Sequence, residues 1–107
     1  MRKFRTLIRG QNFQMRNMEA DGIQTYGFYT TVFVESESPE SAEYAAIDAL
    51  RQSPKLRDTV TNPADDPPRM FVEELQEIAD WPPDTKRPLT GFTFFLYTGN
   101  EAQSPNA

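Results

Sequence analysis

Four carboxylates crowd one short stretch of this chain: Glu73, Glu74, Glu77 and Asp80. Paired carboxylates can move protons when one of them is buried, or hold a hard cation. Neither chemistry has its supporting pattern here. The calcium-loop spacing is absent, and so is a glycine-rich phosphate loop. A charge run without such a pattern is ordinarily a solvated face. Cysteine and histidine are missing altogether. That excludes thiolate nucleophiles, Cys/His zinc sites, Ser-His triads and imidazole acid–base chemistry. No cofactor, no metal and no catalytic residue is expected, and the chain reads as a non-enzyme. A small enzyme or a ligand pocket using carboxylates and Tyr is the alternative.

A second set is basic and aromatic. Arg2, Lys3, Arg5, Arg9 and Arg16 fall within the first 18 residues, which hold no acid, with Phe4 and Phe13 among them. Cationic grooves with stacking aromatics bind single-stranded nucleic acid. The whole chain carries 11 basic and 16 acidic residues, a net charge of -5. Phosphates repel such a surface, so nucleic acid ranks third among the function classes. The simpler reading places this basic strand beside an acidic one, with cross-strand ion pairs.

The elements that position these residues follow from the pattern. In residues 3–9, Phe4, Thr6 and Ile8 alternate with Arg5, Leu7 and Arg9, which predicts a strand with one wetter face. Asp21-Gly22 is a tight-turn signal. Residues 27–34, Gly-Phe-Tyr-Thr-Thr-Val-Phe-Val, are nearly all aromatic or β-branched and predict a strand. That strand starts as early as Ile23, making a long hairpin with residues 3–15. Ser38-Pro39-Glu40 opens a helix, with Ser38 as cap and Pro39 at the first helical position. Its apolar stripe is Ala42, Ala45, Ala46, Ala49 and Leu50, and it ends before Pro54.

Residues 54–69 hold Pro54, Pro63, Pro67 and Pro68 and predict an extended connector without a core of its own. Residues 70–79 fit two readings. A bulged strand is preferred, because the last strand needs a partner; a helix starting near Pro67 is the alternative. Residues 81–90 read as a loop. Residues 91–97 form a strand with apolar side chains on both faces, the pattern of a strand that is central or covered on both sides. The expected fold is α+β: about four antiparallel strands in ββαββ order, with one helix packed on one face. One domain spans 1–98, and 99–107 form a flexible tail.

Residues 38–50 resemble the strand-to-helix step of HicB-like antitoxin proteins. There a capping residue is followed at fixed spacing by Ala, Ala and Ala-Leu, matched here by Ser38, Ala42, Ala46 and Ala49-Leu50. The Pro-Asp-Leu-Pro-Gly-type turn of that family is missing. The Gly-Phe-Tyr-Thr-Thr strand also resembles small, uncharacterised bacterial proteins. Neither resemblance carries a functional residue across.

One small helix cannot cover both faces of the sheet. Tyr29, Phe33, Phe95 and Tyr97 fall on the second face and need a lid: their own loops, a second chain, or a ligand. The connectors 54–69 and 82–90 hold few large apolar residues beyond Leu56, Val60 and Leu89. The expectation is a small binding or regulatory protein acting through protein–protein contacts as a homodimer, with these aromatics central. The longest apolar run near the amino end is Leu7-Ile8, too short for a signal peptide, and no segment is long enough to span a membrane. A cytoplasmic location is expected.

Overall fold

Alternation of apolar and polar side chains extends through the first two elements and makes them one long hairpin. In the computed structural model, which describes residues 1–16, 22–83 and 89–96, β1 runs Arg2–Arg16 and β2 runs Ile23–Ser36. They pair antiparallel from Arg2↔Ser36 to Arg16↔Ile23. The Asp21-Gly22 turn expected between them falls partly outside the described residues. The register slips between Gly10 and Phe13, where Asn12 takes φ 63°. Asn tolerates that left-handed conformation better than most residues. The slip keeps Phe13 and Met15 on the same buried side as Phe4, Thr6 and Ile8.

Helix α1, Pro39–Arg51, begins as the sequence predicts. The Ser38 hydroxyl accepts from the Ser41 N–H at 3.2 Å, and the Ser38 N–H donates to Ser41 Oγ at 3.3 Å. This reciprocal pair satisfies donors that the first turn leaves free. Ala42, Ala46 and Leu50 are fully buried against the sheet, with Ala45, Ile47 and Ala49 beside them. Small side chains let the helix lie close to Phe4, Ile8, Phe28 and Val32, all of zero exposure.

The connector is more structured than its prolines suggest. A four-residue helix α2, Pro54–Arg57, buries Leu56 in the main core, and Val60 bridges to Met15. Asn62 donates to the Asn12 carbonyl at 2.8 Å and accepts from the Gln14 N–H at 2.9 Å. The connector builds no core of its own, as expected, but it is not extended throughout: α2 interrupts it and Leu56 joins the main core. Leu56 lands beside α1 because the short helix turns it back onto the helix-covered side.

Residues 70–79 resolve as a strand: β3 is Arg69–Ile78 and β4 is Leu89–Leu96. The sheet order is β3-β1-β2-β4. The expected α+β architecture, with antiparallel strands in ββαββ order under a helix, is what the chain adopts. β3 also carries the expected bulge, opposite Leu7 and Ile8. Of the two readings of the last strand, the central position is overturned: among the described residues β4 is an edge strand. Its helix-side Phe92 and Phe94 pack edge-on against Phe28, at 5.1 and 5.8 Å between ring centres. Two-sided apolarity says nothing of how many neighbours a strand has. The tail 99–107 lies outside the described residues.

Candidate functional site

The face of the sheet away from α1 is where most of the singled-out residues meet. Down its centre run Lys3, Arg5, Leu7 and Arg9 of β1, each half-buried. Pairing sets Glu35, Phe33, Thr31 and Tyr29 of β2 opposite them on one side, and Ile78, Gln76, Glu74 and Phe71 of β3 on the other. Thr93 and Phe95 of β4 extend the surface past Tyr29 and Gly27.

Tyr29 and Phe95 form a half-buried pair, 5.8 Å between ring centres. Gly27 makes that possible: a Cβ there would stand 2.5 Å from the Phe95 ring. Phe33 departs from the expectation that it lies at an interface. It is only 5% exposed, because Trp81 stands edge-on over it at 6.0 Å. The chain supplies that lid itself, from the segment that leaves β3. Lys3 Nζ lies 5.7 Å from the centre of the Trp81 ring and closes the same corner. Tyr97 lies outside the described residues. Sequence reasoning passed over Trp81 by treating 81–90 as a plain loop. The usable signal was a lone Trp directly before Pro82-Pro83, a large apolar anchor on a stiff segment.

The basic residues divide: Lys3, Arg5 and Arg9 share the open face, while Arg2 and Arg16 lie apart from them. Arg2 points to the helix side, where its guanidinium binds Glu77 through two hydrogen bonds, 2.8 and 3.1 Å, and lies over Phe4. Arg9 binds Glu73 at 2.9 Å and lies 4.9 Å from the Phe71 ring centre. Arg16 sits exposed at the far end of β1. Arg5 is half-buried between Phe33 and Gln76, and among the described residues it makes no ion pair. The cross-strand ion pairs expected between a basic and an acidic strand are thus present, between β1 and β3.

These pairs also divide the carboxylates. Glu77 lies on the helix side and Glu73 on the opposite side, each facing its arginine, while Asp80 accepts from the Trp81 N–H at 2.8 Å. Among the described residues no three acidic side chains converge on a point that a metal ion would fit. The hydrogen bonds from Arg2 hold the Glu77 carboxyl below the usual carboxylate range, and desolvation offsets part of that shift. The Arg2 guanidinium is correspondingly raised.

On the helix-covered side, an open groove of about 340 Å³ lies at the end of α1. Phe13, Ile47, Leu56 and Met70 line it, with Arg51 and Arg57 at its rim. No carboxylate and no tyrosine lines it, so it lacks the groups that the enzyme or ligand-pocket alternative would use. No protein-family model, curated protein or solved structure matches this chain. No helix among the described residues is long and apolar enough to cross a membrane.

Proposed function

We propose that this protein is a non-catalytic contact module, which works as a homodimer through the Tyr29–Phe95 end of its uncovered sheet face. The observation that carries the reading is an imbalance of cover. One face has α1, α2 and a core of fully buried side chains. The other has Trp81 over Phe33 and nothing comparable among the described residues over Leu7, Tyr29 and Phe95. Leu7, Tyr29 and Phe95 are half-buried, so each keeps only part of the burial that a covered side chain would have. Contiguous patches of this kind mark contact surfaces.

The charge arrangement favours a protein over a nucleic acid. Arg2 and Arg9 are already held by Glu77 and Glu73, which leaves Lys3 and Arg5 on this face of a chain whose net charge is -5. The likeness of residues 38–50 to HicB-like antitoxins matches what the helix does locally, since Ser38 caps it and small side chains seat it on the sheet. Those are requirements of packing, and they lend no activity.

Concentration-dependent amide spectra test the reading. Signals of Tyr29, Thr93 and Phe95 are expected to shift as the protein is concentrated, while those of Ala42 and Ala46 stay fixed. Spectra that do not change with concentration, from a protein that sediments at the single-chain mass, would remove the proposal.

A further inference from the structure

The two edges of the sheet are built differently. β3 carries Arg69, Glu73, Glu74 and Glu77, and its pairing with β1 is broken by a bulge. Charges and bulges are the usual guards of an edge strand, which otherwise offers a row of unpaired N–H and C=O groups. β4, Leu89–Leu96, holds no charged residue and no proline. Its one irregularity comes early, where the register slips between Thr30 and Val32 and Gly91 takes φ 118°. Only glycine adopts that conformation readily. Beyond it Phe92–Leu96 pairs in unbroken register with Thr30–Tyr26. Among the described residues no strand lies on its outer side.

We propose that this edge is where two copies of the chain meet. β4 pairs antiparallel with β4 of a second copy about a two-fold axis at Phe94, joining two four-stranded sheets into one. The inference rests on the homodimer reading only for the association of two copies; it places their contact at the edge beside Phe95 and leaves Leu7 and Tyr29 on the open face. Charge selects the edge. Each copy carries a net charge of -5, so two copies repel except where their surfaces are neutral. β3 against β3 would bring glutamates together, whereas β4 against β4 brings none. Identical antiparallel strands satisfy two-fold symmetry directly. Centred on Phe94, the pairing sets Thr93 of each copy opposite Phe95 of the other, and Phe92 opposite Leu96. Leu96 is 58% exposed in the single chain and gains a cover. Phe95 comes to the seam on the open face, with Tyr29 one strand inward.

The absence of cysteine makes a direct test available, since one introduced thiol has no background. Thr93 is exposed on β4, and Glu74 is exposed on β3. In the proposed pairing two Thr93→Cys thiols stand diagonally across the seam, about 7–8 Å apart. A short bismaleimide is expected to convert Thr93→Cys largely to a covalent dimer and to leave Glu74→Cys largely monomeric. Trp81 fluorescence checks that both variants fold. A protein that sediments as a dimer, yet cross-links no better through Thr93→Cys than through Glu74→Cys, overturns the edge placement and leaves the homodimer reading standing. A protein that stays monomeric at every concentration overturns both.

Discussion

Arg2 and Glu77 show what a surface pair contributes here. Both side chains are nearly half exposed, so their attraction is screened and adds little to stability. Its direction is still measurable. A carboxyl held low by a partner stabilises the fold above its unfolded pKa, and that contribution fades as pH falls through the folded value. Replacing Arg2 with Ala is expected to raise the Glu77 pKa towards the ordinary range in a carboxyl-detected titration. Two glycines make a sharper comparison. A Cβ on Gly10 would stand 2.3 Å from the Phe28 ring, and one on Gly27 would stand 2.5 Å from the Phe95 ring. Phe28 has zero exposure and is hemmed by Phe13, Phe92 and Phe94. Phe95 is only half-buried and has open surface to swing into. Gly10→Ala is therefore expected to cost about 1–3 kcal/mol by overpacking, and Gly27→Ala less, as read by urea unfolding.

At the scale of elements, patterns that depend only on a strand's own faces were legible in the sequence. Phe4, Thr6 and Ile8 announced the buried side of β1, and Ser38-Pro39 announced α1. Ala46 fell on the predicted face and is fully buried, so Ala46→Phe is expected to destabilise by about 1–3 kcal/mol in chemical unfolding. Removing the cap with Ser38→Ala is expected to cost about 1 kcal/mol in the same measurement. Relations between elements were less legible. The order of strands depends on which edges find partners, and no periodicity encodes that. β4 looked central because Phe92 and Phe95 are apolar on opposite faces, yet among the described residues only β2 pairs with it. The glutamates of β3 argued against a strand until their arginine partners on β1 were in view. Asn62 and Leu56 gave no signal that 54–69 would fold back onto β1 and α1, because their contacts span long stretches of sequence.

For the whole molecule, the candidate site was half legible. Tyr29 and Phe95 lie together on the uncovered face, as the alternation in β2 and β4 required. Phe33 was removed from that surface by Trp81, a contact made by a segment with no regular pattern to read. The remaining claim is that the uncovered face and the uncharged β4 edge belong to an assembly of two chains. Sedimentation equilibrium across the micromolar range tests it most directly. A mass approaching twice the 12.3 kDa of the chain, falling towards the single-chain value on dilution, is the predicted result; the single-chain mass at every concentration would contradict it.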